Sequence, residues 1–355
     1  MTAAEPAGLA RVVESIEQQI VWCREFSSPF TAGVLELVRD NLAKGGALAP
    51  LVLPWPGEPV RDVLALRLAG VLQMMARTGL APGLVPFYPA GSGRQDAVAF
   101  AHEIESAVGA NAEFVRTFIS RPPQTNEIGR SAALMPAYAM IAKQTGLPLR
   151  ILEVGASAGL NLMWDRFRYR LGEHEIGDRH SPVTVTAEWR GAWPKLEALP
   201  RVVERRGCDR TPIDLTLPGE ADRLMSYVWP DQVERVKRLE GAIALAQQVR
   251  PVVDKMDAGE WLEQQLRTPV PGVVTVVAHT IAWMYFSAET MRHAHGALEG
   301  AGARASAAAP LARVSLEHYA LDKPPALKVT TWPSGETRTI ANAHAHGAWV
   351  AWLEG

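Results

Sequence analysis

The chain has 355 residues, of which 48% are hydrophobic and 21% are charged, and its formal net charge is −2 at pH 7. This composition is typical of an ordinary folded protein and excludes a largely disordered chain. The 36 lysines and arginines do not exceed the 38 aspartates and glutamates. The overall charge therefore favours neither nucleic acid nor a membrane surface as a partner.

The two cysteines, Cys23 and Cys208, lie far apart and form no Cys-x-x-Cys motif. The sequence therefore predicts neither a disulfide framework nor a cysteine metal site. The amino terminus carries three glutamates within its first 17 residues and lacks the basic start and apolar core of a secretory signal. The most apolar run, residues 273–286, is too short to cross a bilayer. We expect a cytoplasmic protein.

The first part of the chain repeats apolar residues three and four positions apart, which predicts a series of helices. Pro29 is expected to begin the second of them, because proline is favoured in the first helical turn. Two further helices are predicted near residues 97–108 and 131–143, separated by a polar loop. The sequence therefore predicts an all-helical N-terminal domain over residues 1–146, on the substrate side.

The second part of the chain, residues 147–355, alternates short β-rich runs with helices. This order is typical of a mainly parallel sheet with helices on both faces. Residues 167–172 and 183–189 alternate like a half-exposed hairpin, and residues 326–332 and 337–346 are predicted to form another. We expect an α/β domain here.

The segment Gly155-Ala156-Ser157-Ala158-Gly159 follows the buried run Leu-Arg-Ile-Leu-Glu-Val. It matches both the turn that exposes a serine nucleophile and the small-residue turn that holds a nucleotide-like cofactor. A serine hydrolase needs a later acid and histidine, and His344 and His346 are available. However, that fold has several strands before its nucleophile, whereas the preceding residues here are predicted to be helical.

Glu153 favours the cofactor interpretation. A carboxylate at the end of a buried strand is costly unless it meets a partner, and the ammonium group of an amino-acid-like cofactor is a suitable one. Gly155 allows a tight turn, Ser157 keeps bulk away, and Gly159 allows a close approach to the ligand. The same small residues could form only a strand-to-helix turn.

In these residues the chain resembles the class I S-adenosylmethionine-dependent methyltransferases, whose first motif is an acid, any residue, then Gly-x-Gly-x-Gly. The motif here is Glu153 to Gly159, with Ser157 in place of the middle glycine. The resemblance implies a Rossmann-like sheet and S-adenosylmethionine as cofactor. The whole chain also resembles a bacterial family of unknown function, on the segments Pro-Pro-Gln-Thr-Asn-Glu-Ile-Gly-Arg and Val-Trp-Pro-Asp-Gln-Val-Glu-Arg-Val-Lys-Arg-Leu-Glu-Gly.

Two further acids follow later strands of the predicted sheet. The resemblance implies that Asp209 accepts hydrogen bonds from the ribose hydroxyls, and that Asp257 takes the adenine amino group with Ala258 as a backbone donor to the ring. Carboxylates suit a vicinal diol because two oxygens can accept in parallel. Alternatively, both acids could be helix N-caps without a ligand.

The substrate side is predicted from two segments. His279 ends an apolar run and is predicted as a general base, since imidazole titrates near neutral pH; a core histidine is the alternative. Trp283 and Tyr285 are expected to wall the pocket, unless they only pack in the core.

A polar loop lies between the helices of the first part, and from it Gln124, Asn126 and Arg130 are predicted to bind substrate. Glu127 is predicted to share the base role. The alternative is a capping segment in which Glu127 and Arg130 form a surface pair.

These expectations together describe a methyltransferase that acts on an unknown small molecule by direct displacement at the cofactor methyl. The histidine pairs of the sequence lack a convincing third ligand, so no metal is expected. A serine hydrolase that uses Ser157 and a non-catalytic nucleoside-binding protein remain as alternatives.

Overall fold

The computed structural model describes residues 4–196, 198–320 and 323–354. It has a mixed α/β architecture. The α-helices are α1 (Ala4–Glu25), α2 (Pro29–Ala43), α3 (Ala49–Val52), α4 (Leu64–Arg77), α5 (Ala97–Ala110), α6 (Ala112–Ser120), α7 (Ser131–Thr145), α8 (Glu220–Met225), α9 (Val233–Val249), α10 (Ala258–Gln265) and α11 (Ala288–Gly302). None of the described helices combines the length and the apolar content that a membrane span requires.

The described strands form one sheet of eleven. They are β1 (Leu149–Val154), β2 (Arg168–Leu171), β3 (His174–Gly177), β4 (Thr184–Arg190), β5 (Val202–Asp209), β6 (Val253–Lys255), β7 (Val274–Thr280), β8 (Leu311–Glu317), β9 (Ala326–Trp332), β10 (Glu336–Ala343) and β11 (Trp349–Trp352). Their spatial order is β3-β2-β4-β11-β10-β9-β8-β7-β1-β5-β6.

The chain divides into two compact units. The first comprises Met1–Thr125 and Leu217–Lys237, and the second comprises Asn126–Thr216 and Arg238–Gly355. This division differs from the expected boundary at residue 146, because α7 packs on the strands of the second unit and because Tyr227 is buried with the apolar residues of the first. Packing, not position in the chain, decides which unit a segment joins.

The first unit contains α1 to α6 and α8. Its core is built from apolar residues that recur on one face of the longer helices, such as Ile16 of α1, Leu35 of α2 and Leu68 of α4. Helix α2 begins at Pro29, as predicted, and this proline occupies the first turn of the helix. Asp96 caps α5 by accepting a hydrogen bond from the backbone of Ala99 at 3.0 Å.

Five neighbouring strands of the second unit, β6-β5-β1-β7-β8, are parallel. The next strands, β9 and β10, are antiparallel and form the predicted hairpin. The other predicted hairpin is different: β2 pairs with β4 in parallel, because the short strand β3 intervenes in the chain and is the antiparallel partner of β2. Alternation alone does not reveal strand direction.

Strand β1 is buried along its whole length. Leu152 and Val154 belong to an apolar cluster with Trp261 of α10 and Leu298 of α11. Because side chains alternate between faces, Glu153 lies on the opposite face. Helices α10 and α11 therefore pack on one face at the carboxyl end of β1, and Glu153 lies on the other face.

Gly207 of β5 lies against the loop that follows β1. A Cβ added there would come within 2.6 Å of the Cβ of Ala156. We expect Gly207→Ala to lower the free energy of unfolding by about 1–3 kcal/mol, the usual cost of overpacking, in urea denaturation. Gly296→Ala is the control, because a Cβ at this helical position would meet nothing within 4 Å and alanine favours a helix. Equal stability of the two variants would contradict the tight packing of β5.

Candidate functional site

The candidate site lies at the carboxyl ends of the parallel strands around β1. Strands β5 and β6 lie on one side of β1 in the sheet, whereas the later strands β7 and β8 lie on its other side. Ligands of open α/β sheets bind where the strand order reverses in this way, outside the carboxyl ends of the strands. The turn that begins at Gly155 lies at this position.

Three residues of the turn have left-handed backbone conformations: φ is +70° at Gly155, +54° at Ser157 and +73° at Gly159. Glycine adopts this conformation readily, whereas serine does so at some cost. The space beside both glycines is filled by the chain itself, because a Cβ at Gly155 would lie 2.7 Å from Ala282 Cβ and one at Gly159 would lie 2.9 Å from Val253 Cγ2. These glycines are required by the fold, and a bulky substitution would disturb it.

Glu153 is the most unusual ionisable group at this edge. Its side chain is buried, with 4% exposure, and its Oε2 atom has no hydrogen-bond partner among the described residues. Burial raises the pKa of Glu153 to about 8, the charge of Arg130 lowers it in part, and Asp209 raises it. The free protein therefore holds this carboxyl group largely protonated at neutral pH.

Asp209 ends β5 and ties the turn to that strand. Its Oδ2 accepts a hydrogen bond from the backbone of Ser157 at 3.0 Å, and its Oδ1 accepts one from the backbone of Thr211 at 2.9 Å. Each carboxylate oxygen can accept a further bond. Asp209 thus has a structural task and keeps capacity for a ligand.

Asp257 is the N-cap of α10. Its Oδ1 accepts from the backbone of Gly259 at 2.9 Å, and its Oδ2 accepts from the Thr290 hydroxyl at 2.6 Å. Ala258, the first residue of the helix, is buried. This arrangement is the capping role that the sequence left as the alternative.

The polar loop before α7 lies against the turn through Asn126, whose Oδ1 accepts from the backbone of Leu160 at 2.9 Å. Glu127 is buried, accepts from the backbone of Gly129 at 2.9 Å, and pairs with Arg238 at 3.3 Å. Glu127 and Arg130 are both buried rather than on the surface, and Glu127 forms an ion pair with the distant Arg238. Glu127 is better suited to holding the loop than to exchanging protons.

Arg130 is buried next to the same edge. Its Nε donates to the carbonyl of Ala345, and one terminal nitrogen donates to the carbonyl of Thr280, each at 2.9 Å. Its charge acts on Glu153. Gln124 is partly exposed and belongs to the first compact unit, so the predicted loop is divided between the two units.

His279 lies in the interior of the second compact unit. It has no exposed surface, its Nδ1 lies 2.7 Å from Glu317 Oε1, and Arg313 Nε donates to its Nε2 at 3.0 Å. Burial lowers its pKa, although Glu317 acts in the opposite direction. The physical reason is strand alternation: His279 points to the face covered by α11, whereas Glu153 points to the other. These contacts are those of a buried polar network, and the general-base role of His279 stays a prediction.

The two aromatic residues after β7 have separate environments. The Trp283 ring stacks on His279 with centroids 4.6 Å apart, and the Arg313 guanidinium lies 4.5 Å from the centre of the indole. Tyr285 is 65% exposed. Trp283 is partly exposed and packs on the buried His279, and Tyr285 is the more exposed of the two.

Two buried polar atoms after the turn belong to residues that were not predicted from the sequence as site residues. Asn161 Oδ1 and Trp164 Nε1, like Ser157 Oγ, have no hydrogen-bond partner among the described residues. Asn161 also donates to the carbonyl of Glu127 at 3.3 Å, which fixes the orientation of its amide. Asparagine within an otherwise apolar segment was the available signal, because buried polar side chains require partners. Together with Glu153, these atoms concentrate unsatisfied polar capacity in residues 153–164.

Other kinds of site are less evident. No group of three or more histidine, cysteine, aspartate or glutamate side chains in the described ranges is arranged to hold a metal ion. A cleft of about 540 Å³ is lined by Gly146, Pro148 and Arg201. It lies at the amino end of β1, away from the strand ends that carry the acids.

The geometry defines a mixed α/β protein with a polar, glycine-containing turn where its strand order reverses. Residues 13–352 match the family described as an uncharacterized protein conserved in bacteria (DUF2332), and the chain belongs to this family. No curated protein and no solved structure matches the chain.

The raised pKa of Glu153 should make the stability of the protein depend on pH. Its pKa is about 8 in the folded protein and near 4.3 in an unfolded chain, so between these values only the unfolded form loses the proton. The free energy of unfolding therefore falls as the pH rises through this range. We expect Glu153→Gln to remove this part of the slope in denaturation between pH 5 and pH 8.5. The exposed Glu173→Gln variant is the control, and identical slopes for the two variants would show that Glu153 is ionised in both states.

Proposed function

We propose that this protein is a cytoplasmic S-adenosylmethionine-dependent methyltransferase that acts on a small molecule. One observation carries the proposal: the buried Glu153 has an oxygen without a partner at the carboxyl end of the central strand. A carboxyl group in such a place is costly unless a ligand compensates it. The ammonium group of the cofactor's methionine part would do so.

The strand order supports a Rossmann-like interpretation. Across the sheet, the five parallel strands lie in the order β6-β5-β1-β7-β8. When these strands are numbered by their order in the chain, this spatial order is 3-2-1-4-5, as in the dinucleotide-binding sheets. Two departures distinguish the chain. The turn continues into a 3₁₀ helix, Leu160–Arg166, and β2, β3 and β4 intervene before the second parallel strand.

The residues present fit the cofactor unequally. Glu153 and the hydroxyl of Ser157 offer buried polar atoms without partners, and Asp209 keeps acceptor capacity beside its two backbone bonds. Asp257 is more fully used as a helix cap. The cofactor would therefore be held mainly by Glu153, Ser157 and Asp209, with Ala258 beside the base.

When bound, S-adenosylmethionine supplies a methyl group on a positively charged sulfur. The protein's task is then to align an acceptor and to exclude water, which can contribute much of the rate enhancement without a metal. We propose Arg130, Asn126 and Tyr285 as substrate contacts, because all three lie in the second compact unit and Tyr285 is exposed. The proposal assigns no general base, since His279 and Glu127 are both engaged in buried contacts.

One observation favours a serine hydrolase as the second candidate: Ser157 has the positive φ of +54° expected of a strained nucleophile turn. Its Oγ, however, has no hydrogen-bond partner among the described residues, whereas a serine nucleophile needs a base within reach. A fluorophosphonate probe separates the candidates, because labelling of Ser157 would contradict the methyltransferase proposal.

Calorimetric titration with S-adenosylmethionine at pH 7, in two buffers of different ionisation enthalpy, tests the cofactor. Because Glu153 is protonated in the free protein and must ionise to pair with an ammonium group, we expect binding to release about one proton and to tighten as the pH rises toward 8. Glu153→Gln should abolish the proton release and weaken binding by about 1.5–3 kcal/mol, as for a lost hydrogen bond to a charged group.

Two ligands serve as controls. S-adenosylhomocysteine keeps the amino-acid part and should release the same proton, whereas 5′-methylthioadenosine lacks that part and should release none. Glu173→Gln should behave as the wild type. Binding without Glu153-dependent proton release would contradict the assigned role of Glu153, and failure of all three ligands to bind would contradict the cofactor itself. Binding without methyl transfer to any acceptor would favour the non-catalytic alternative.

A further inference from the structure

A cluster of arginines surrounds one tyrosine in the first compact unit. Arg67 lies on α4, Arg121 directly follows α6, and Arg223 lies on α8. Tyr227 follows α8, and its ring packs against α4, where a Cβ at Gly70 would lie 2.9 Å from it. We call Arg67, Arg121, Arg223 and Tyr227 the arginine cluster.

The positive charges of the arginine cluster are incompletely balanced. Arg223 pairs with Glu220 at 3.0 Å, and Arg121 lies 3.9 Å from the same carboxylate. Arg67 is only 7% exposed, yet its nitrogens donate to the backbone carbonyls of Asp62 and Ile119, each at 2.8 Å. Arg121 and Arg223 thus share one carboxylate in direct ion pairs, and Arg67 has no ion pair among the described residues, although buried charges are normally paired.

Asp62 is the carboxylate that acts on Arg67, and it raises the pKa of this arginine against the larger effect of burial. It is directed elsewhere, since its Oδ2 accepts a hydrogen bond from the Trp55 indole at 2.8 Å. It therefore reduces the excess of positive charge without removing it.

The arginine cluster also contains polar atoms without partners. Tyr227 is 2% exposed, and neither its hydroxyl nor Arg223 Nε has a hydrogen-bond partner of standard geometry among the described residues, although Arg223 lies close enough to the phenol to lower its pKa as a hydrogen-bond donor. Burial raises the pKa of Tyr227, while the charges of Arg223, Arg67 and Arg121 lower it, so all three guanidinium groups act on this phenol. A buried phenol beside excess positive charge can donate to an anion.

We propose that the arginine cluster binds an oxyanion group, a carboxylate or a phosphate, of a small molecule. The planar guanidinium group matches two oxygens of either anion, and the Tyr227 hydroxyl adds a neutral donor. Arg121, whose side chain is 55% exposed, is the member that an arriving anion meets in solvent. This proposal does not depend on S-adenosylmethionine binding.

The test uses the full-length protein titrated with inorganic phosphate and with succinate, at constant ionic strength maintained with sodium chloride. We expect at least one of these anions to bind, and the preferred one identifies the ligand class. Tyr227→Phe should lower its affinity by about tenfold, because a hydrogen bond to a charged group is lost. Arg223→Gln should lower it further.

Tyr88→Phe is the matched control. Tyr88 is also buried in the first unit, and its hydroxyl also lacks a hydrogen-bond partner among the described residues, but burial alone raises its pKa and no arginine acts on it. If Tyr227→Phe and Tyr88→Phe retain equal anion affinity, or if neither anion binds to the wild type, the proposal is overturned. Each substitution removes only one oxygen, so we expect both variants to fold. Their thermal transitions verify this.

Discussion

The burial of β1 on both faces is the constraint on which the candidate site depends. Its neighbours β5 and β7 satisfy its backbone, α10 and α11 cover one of its faces, and α7 packs against the neighbouring β7. A polar side chain at its end must then find partners in the segment that follows. Glu153 meets this demand incompletely, and the next segment adds Ser157, Asn161 and Trp164, each with an unsatisfied buried atom.

The acids at this edge show how structural and binding tasks can share a residue. Asp209 connects β5 to the turn through the backbone of Ser157, so its removal would disturb the turn as well as any ribose contact. Asp257 begins α10 and also bonds to Thr290 of α11. Loss of ligand affinity on mutation of either acid would therefore not by itself demonstrate direct contact, whereas proton release from Glu153 reports on that carboxyl group specifically.

The sequence predicted those features that depend on local chemistry. The start of α2 at Pro29, the hairpin of β9 and β10, and the small-residue turn after β1 each have a signal within a few residues. The parallel pairing of β2 with β4 and the ion pair of Glu127 with Arg238 involve partners distant in sequence, so they could not be predicted. The environment of His279 was not predicted for a different reason: its position near the strand end was considered, but the face of the sheet to which it points was not.

The overall composition, with a net charge near zero, likewise did not show where the charges are locally unbalanced. A net charge of −2 excludes a strongly basic surface, but it says nothing about where the fold places its charges. Arg67, Arg121 and Arg223 are separated by more than 50 residues at each step, yet all three act on one phenol. In the other compact unit, Glu153 is held without a full set of partners. Each compact unit therefore contains buried polar groups that lack a full set of partners, a feature that the overall composition does not show.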